Sequence, residues 1–171
     1  MVSLSNKGLS ILRGFLNGSK AYSGPITVGL MITNHCNVAC RMCPYHSDIY
    51  GIPAQVSAQE LDFDKIKNLL EEFKFLGVRN IVYYGEGEPL LHSKIQQILE
   101  LTKNYSFRVE LVTNGLNLNP GLADLLLEVP LWRLIISLHS GKFDTFSKIR
   151  PSISMADYNV LLDNIGYISK N

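Results

Sequence analysis

All three cysteines of this 171-residue chain fall within eight residues, and their spacing constrains the chain more than any other feature. Cys36, Cys40 and Cys43 form the pattern Cys-x3-Cys-x2-Cys. Three thiols cannot all pair as disulfides within one chain, whereas three thiolates on a loop can converge on one metal centre. Zinc would need a fourth ligand, and His35 and His46 are close in sequence. An iron–sulfur cubane would take the three thiolates and leave one iron without a protein ligand.

Composition restricts the class of protein and its partners. Hydrophobic residues make up 46% of the chain and charged residues 18%, as in a folded globular domain rather than a disordered chain. A net charge of +1 gives no electrostatic basis for a nucleic-acid partner. No apolar run reaches the length of a membrane span, and clustered free thiols favour a reducing compartment. We therefore predict a cytoplasmic protein that has neither a nucleic-acid nor a membrane partner.

Apolar periodicity predicts an N-terminal helix over residues 4–17, followed by four units that each pair a strand with a helix. The strands are predicted at residues 26–33, 80–84, 107–112 and 134–138. N-cap residues mark where three of the helices begin, namely Asp62, Asn119 and Ser154. The inward stripe of the last helix is predicted to comprise Tyr158, Leu161, Leu162, Ile165 and Ile168. This alternation favours an α/β fold with parallel strands and right-handed crossovers.

Unusual residues follow each predicted strand. The cysteines come directly after the first strand. The next three strands are followed by Gly85-Glu86-Gly87-Glu88-Pro89, by Thr113-Asn114-Gly115 and by Ser137-Leu138-His139-Ser140. Because the carboxyl ends of parallel strands in an α/β barrel gather on one face, we expect these four loops to lie together. The sequence therefore predicts one site at that face.

These motifs resemble those of the radical S-adenosylmethionine (radical SAM) enzymes, nearest to the branch that matures peptides and cofactors. The family pattern often has an aromatic residue where Met42 stands, and a glycine where Glu86 stands. The resemblance covers residues 26–151 and implies a partial (β/α) barrel. We expect an N-terminal helical extension over residues 1–25, then a core over residues 26–171 that holds about four of the usual six βα units. The chain is thus expected to be an N-terminal portion of that core.

The resemblance also implies cofactors and the residues that hold them. It implies a [4Fe-4S] cluster on Cys36, Cys40 and Cys43, with S-adenosylmethionine bound at the remaining iron. The residues implied to contact S-adenosylmethionine are Gly85, Gly87, Glu88, Thr113, Asn114 and Ser137. The reduced cluster would cleave S-adenosylmethionine to a 5′-deoxyadenosyl radical that abstracts hydrogen from a substrate. The implied partners are an electron donor of the flavodoxin or ferredoxin type and a substrate, either a small molecule or a peptide or protein.

Two function classes stay open at this point. One is a radical SAM enzyme or its catalytic fragment, and the other is a non-catalytic zinc or iron–sulfur module that uses His35 or His46. His139 stands where the family frequently has aspartate, and it is interpreted either as a substrate-side acid or base or as a loop residue. Arg150 is interpreted as a solvated arginine rather than as the partner of a carboxylate.

Overall fold

The computed structural model describes residues 6–49 and 59–171, so the first two residues of the helix predicted over 4–17 lie outside the described residues. In the described part of the chain, strands and helices alternate as the sequence predicts. The elements are α1 (Asn6–Asn17), β1 (Thr27–Leu30), α2 (Phe63–Phe75), β2 (Asn80–Tyr83), a 3-10 turn (Pro89–Leu91), α3 (Ile95–Asn104), β3 (Arg108–Thr113), α4 (Pro120–Glu128), β4 (Leu131–Ile136), α5 (Phe143–Ile149) and α6 (Met155–Ile168).

The four strands form one parallel sheet in the order β1-β2-β3-β4. Tyr83 at the end of β2 pairs with Leu30 at the end of β1 and with Leu111 of β3. The strands therefore finish at nearly the same level, and the loops that follow them emerge at one edge. The predicted α/β class with parallel strands is confirmed.

Side-chain caps explain where the helices begin. The carboxylate of Asp62 accepts hydrogen bonds from the first free N–H groups of α2, at 3.0 and 3.1 Å. Asn119 accepts from the N–H of Leu122, with a proline at the first position of α4. Ser154 and Asp157 cap one another's backbone N–H at the start of α6, as a capping box does. All three N-caps predicted from the sequence are confirmed.

The core lies between the sheet and the helices α2, α3 and α4. Apolar side chains from the three helices and from β2 and β3 are fully buried there, among them Leu70, Leu99, Leu126, Ile81 and Leu111. One buried polar pair joins the two layers, because the hydroxyl of Tyr83 lies 2.6 Å from Oγ1 of Thr102 on α3. Among the described residues, no helix combines the length and the apolar character that crossing a membrane requires.

The first strand is shorter than predicted. It ends at Leu30, and the chain beyond it pairs with the segment that precedes α2. The N–H of Leu61 donates to the carbonyl of Ile32 at 2.8 Å, and Thr33 forms an antiparallel bridge with Glu60. The apolar run that suggested a longer strand therefore continues beyond β1 outside the sheet, where Ile32 is buried and Met31 is half exposed. An apolar run by itself does not show whether a segment pairs in a sheet.

The fourth strand starts three residues earlier than predicted, at Leu131. Leu131 pairs with Val109 and Arg133 pairs with Glu110, so one residue of β4 is accommodated by a shift in register. That residue, Trp132, is 43% exposed. Because β4 lies at an edge of the described sheet, it lacks the continuous apolar run by which a central strand is predicted.

One helix face also differs from its prediction. Leu162 was expected inside, but it is 39% exposed, whereas Asn164 is buried on α6. Nδ2 of Asn164 donates to the carbonyls of Gly115 and Leu116, at 2.9 and 3.2 Å. A buried amide is tolerated when its hydrogen bonds are made, and apolar periodicity does not detect such a residue.

Candidate functional site

The loop after β2 contacts the cysteine loop, which we define as residues 34–47. The N–H of Glu88 donates to the carbonyl of His35 at 2.6 Å. On the other side of the cysteines, Nε2 of His46 lies 2.9 Å from the carbonyl oxygen of Glu86. The two loops are therefore joined at both ends of the cysteine motif, as expected from their places at the carboxyl edge of a parallel sheet.

The three cysteines are free and half-buried. Burial raises the pKa of the Cys36 and Cys40 thiols, and the charge of Cys43 raises both further. Cys40 and Cys43 are also joined through the backbone, since the N–H of Cys43 donates to the carbonyl of Cys40 at 2.9 Å. Among the described residues, no group of three His, Cys, Asp or Glu side chains is arranged to hold a metal ion. The thiols are thus gathered on one loop without forming a site for a single ion.

The histidines proposed as zinc ligands have other contacts. The ring of His46 is engaged with the carbonyl of Glu86. The backbone N–H of His35 donates to Oγ1 of Thr33 at 3.0 Å, and its carbonyl accepts from Glu88. These bonds hold the cysteine loop to its neighbours, and neither histidine joins the cysteines in a metal-ion group of the described chain.

The cysteine loop also lies against the chain that connects α5 to α6. The N–H of Arg41 donates to the carbonyl of Ile149 at 2.9 Å, and the N–H of Ala39 donates to Oγ of Ser152 at 3.0 Å. Val38 is buried in a small second core beside Phe146. No local pattern predicts these contacts, because Ala39 and Ser152 lie 113 positions apart in the chain.

Glu88 is the buried centre of the loops after β2 and β3. Its side chain accepts three hydrogen bonds, from the hydroxyl of Thr113 at 2.7 Å and from the N–H groups of Asn114 at 2.6 Å and Leu90 at 3.1 Å. Burial raises the pKa of the carboxyl, and the three donors act in the opposite direction. Glu88 therefore joins two loops, and its predicted contact with S-adenosylmethionine stays a prediction.

The glycines of the loop after β2 allow close approach of the backbone. A Cβ built on Gly87 would overlap the backbone of Asn34 and His35 in the cysteine loop. Gly85 has φ 142°, and a Cβ there would overlap the side chain of Met31. At either position a residue with a Cβ would displace neighbouring atoms, so both positions require glycine. These glycines thus seat the cysteine loop, while the contacts with S-adenosylmethionine implied for them stay predictions.

Replacing Gly87 with alanine should separate the cysteine loop from the loop after β2. The added methyl group meets backbone atoms, which cannot move aside as a flexible side chain can, so we expect destabilisation of about 1–3 kcal/mol. Thermal unfolding of the metal-free protein measures this effect. Gly141 is the matched control, because a Cβ there meets no atom within 4 Å. Equal melting temperatures for Gly87→Ala and Gly141→Ala would contradict the prediction.

Two asparagines of the loop after β3, which we define as residues 114–119, contact the cysteine loop. Nδ2 of Asn114 donates to Oδ1 of Asn37 at 2.7 Å, and Nδ2 of Asn37 donates to Oδ1 of Asn117 at 3.1 Å. Thr113 and Asn114 are both buried. Their side chains thus have partners within the protein, and the contacts with S-adenosylmethionine implied for them stay predictions.

Ser137 and His139 follow β4. The N–H of Ser137 donates to the carbonyl of Thr113 at 2.9 Å, which places Ser137 beside the end of β3. His139 has φ 60°, in the left-handed region that residues other than glycine seldom adopt. Partial burial and the charge of Arg150 lower the pKa of His139, which favours the neutral ring. The role implied for Ser137 and the two interpretations of His139 stay predictions.

Arg150 is buried, and the interpretation of this residue as a solvated arginine is wrong. It is 2% exposed, and its guanidinium carbon lies 5.4 Å from the centroid of the Phe146 ring. Its charge lowers the pKa of Cys40, against the larger effect of burial. Nε and Nη1 have no hydrogen-bond partner within the described chain. The spacing of four residues from Phe146 is the sequence signal that places both side chains on one face.

Comparisons with known protein families identify one match over most of the chain. The model described as the Radical SAM superfamily matches residues 30–171. The GTP 3',8-cyclase of Lactiplantibacillus plantarum is 35% identical over 145 residues, which are 84% of this chain and 41% of the relative. The S-adenosylmethionine-dependent nucleotide dehydratase of Selenomonas ruminantium is 31% identical over 96 residues, 56% of this chain and 32% of the relative. The chain thus spans less than half the length of these relatives.

Solved structures share the fold. The crystal structure of Streptococcus suis SuiB bound to S-adenosylmethionine aligns with a TM-score of 0.72 and 13% identity, over 95% of this chain and 35% of that chain. Methylornithine synthase (PylB) aligns with a TM-score of 0.59 and 15% identity, over 97% of this chain and 49% of that chain. At these identities the similarity supports the partial barrel and nothing finer.

Proposed function

Because the chain belongs to the Radical SAM superfamily, we propose that it binds a [4Fe-4S] cluster and S-adenosylmethionine at the face that carries its cysteines. Members of this family bind both groups. Cys36, Cys40 and Cys43 would hold the cluster. When bound, the two groups supply one-electron cleavage of the cofactor's sulfonium and abstraction of hydrogen from a substrate. The protein's own contribution is to hold, orient and shield these groups.

The arrangement of donors fits this pair of groups. In a cubane each thiolate binds a different iron, so the cysteines need not surround a single ion. This agrees with three neighbouring thiols that form no site for one metal ion among the described residues. The alternative of a zinc module is not favoured, because the chain belongs to the Radical SAM superfamily and because neither histidine is grouped with the cysteines as a ligand of one ion among the described residues.

The observation that carries the proposal is the pair of unpartnered donors on Arg150. A buried guanidinium with two unpartnered nitrogen atoms loses the hydrogen bonds that water would provide. It lies close enough to Cys40 and Glu88 to affect the pKa of both. An anionic group bound beside the cysteines would satisfy these donors, and the carboxylate of S-adenosylmethionine is such a group. We assign that contact to Arg150.

We further propose that an electron donor of the flavodoxin or ferredoxin type approaches the cysteine loop directly. Met42 is 53% exposed and Tyr45 is 38% exposed, so one side of the cysteine motif faces solvent. A cluster held there would lie near the protein surface. The proposal of this partner rests on the sequence and on the family. The same is true of the cytoplasmic compartment predicted from the free thiols.

Anaerobic reconstitution with iron and sulfide tests the proposal, followed by EPR of the reduced protein with and without S-adenosylmethionine. We expect a cubane signal whose shape changes when S-adenosylmethionine is added. A variant with His35 and His46 both replaced by alanine should still assemble the cluster. Tight zinc binding by the wild-type protein, or a cluster signal indifferent to S-adenosylmethionine, would contradict the proposal.

A further inference from the structure

The side chain of Asn37 forms a bridge between the cysteine loop and the loop after β3. Asn37 directly follows Cys36 in the chain. Its Oδ1 accepts from Nδ2 of Asn114 at 2.7 Å, and its Nδ2 donates to Oδ1 of Asn117 at 3.1 Å. The oxygen and the nitrogen of one side-chain amide thus both contact the loop after β3. The bridge therefore fixes the orientation of Asn37 relative to that loop as well as its distance.

Asn114 presents its amide to Asn37 in a fixed orientation. Oδ1 of Asn114 accepts from the N–H of Leu116 at 3.0 Å, and its backbone N–H donates to Glu88 at 2.6 Å. The residue is 7% exposed. A side chain held at its oxygen and at its backbone has little freedom left, so its Nδ2 defines where Asn37 must lie.

Helix α6 holds the rest of the loop after β3 through the side chain of one residue. Asn164 donates to the carbonyls of Gly115 and Leu116. Gly115 has φ 82°, and a Cβ there would overlap the side chains of Leu161 and Ile136. The loop after β3 is therefore rigid where it meets Asn37, and it can act as the reference to which the cysteine loop is aligned.

We propose that Asn37 is a positioning residue that aligns Cys36, and with it the cluster, to the loop after β3. The inference rests on the proposed function. The cysteine loop has separate anchors near Cys40, through Ala39 and Arg41. Loss of the Asn37 bridge should therefore leave the three thiols able to bind the cluster but shift Cys36, and with it the cluster, relative to the loop after β3.

Asn37→Ala is the direct test, with Asn159→Ala on the exposed side of α6 as the matched control. After reconstitution we expect wild-type iron content and a dissociation constant for S-adenosylmethionine raised about tenfold, measured from the change in EPR shape during titration. Asn117→Ala removes only the weaker of the two bonds and should raise the constant less. In the Asn37→Ala background, Asn117→Ala should have no further effect.

A second measurement uses the metal-free protein. Hydrogen exchange of the Glu88 amide, which donates to the carbonyl of His35, should be faster in Asn37→Ala than in wild type, because this end of the cysteine loop loses its bonds to the loop after β3. Dissociation constants within twofold of wild type in both bridge variants would overturn the inference. If Asn37→Ala loses iron, the test rests on Asn117→Ala alone. A dissociation constant for S-adenosylmethionine within twofold of wild type in Asn117→Ala would then overturn the inference. If wild type does not respond to S-adenosylmethionine, the proposed function fails, and an unchanged exchange rate at the Glu88 amide then overturns the bridge separately.

Discussion

Replacing Arg150 with methionine should weaken S-adenosylmethionine binding about a hundredfold. Charge-assisted hydrogen bonds contribute roughly 1.5–3 kcal/mol each, and a hundredfold change corresponds to about 2.7 kcal/mol. Arg150 offers two unpartnered donors to a bound carboxylate, so methionine removes the contact while it keeps the buried apolar volume. Titration of the reconstituted protein by EPR measures the loss. Lys148→Met is the matched control, because it removes an exposed cation from the same helix.

The metal-free protein distinguishes this role from a structural one. Removing a buried cation whose Nε and Nη1 have no hydrogen-bond partner should leave the free energy of unfolding unchanged or raise it by about 1 kcal/mol. The pKa of Cys40 should rise, because the nearby positive charge that now lowers it is gone. Alkylation of Cys40 at neutral pH, in a chain whose other two cysteines are serine, should therefore slow down. A large loss of stability together with unchanged cofactor affinity would contradict the assignment.

Replacing Glu88 with alanine should lower the free energy of unfolding by roughly 3 kcal/mol. Three donors lose their acceptor, namely the Thr113 hydroxyl and the N–H groups of Asn114 and Leu90. Each unsatisfied buried donor costs about 1–3 kcal/mol, and removal of the buried carboxyl offsets part of that sum. For a chain of this size the melting temperature should fall by about 6–12 °C. Glu72→Ala, an exposed position on α2, is the control and should change it little.

The pH dependence of Glu88 follows from its raised pKa. In the folded chain the carboxyl retains its proton at pH values where the unfolded chain, with a pKa near 4.5, has lost it. Since the folded state binds more protons in this range, the stability that Glu88 contributes falls as the pH rises above about 4.5. Denaturant unfolding of wild type and Glu88→Gln at several pH values measures it. A difference that grows in favour of wild type with rising pH would contradict the direction of the shift.

Local signals in the sequence were sufficient for the secondary structure and for the cysteine motif. The N-caps Asp62, Asn119 and Ser154 were readable because capping involves residues close in the chain. Apolar periodicity located the central strands to within a residue or two, whereas β4 began three residues early at Leu131. An edge strand is half exposed, so its pattern is the weaker one.

The position of each motif directly after a strand also predicted that the motifs lie together, since the loops that follow parallel strands emerge at one edge of the sheet. The sequence by itself therefore determined the α/β class, the family and the loops that form the site. Only the tertiary structure decided what the individual polar side chains contact. Arg150 is buried, and Glu88 accepts hydrogen bonds from Thr113 and Asn114, because segments distant in sequence pack around them. Asn37 and Asn164 bridge loops for the same reason. Such contacts depend on packing between segments that no local pattern encodes.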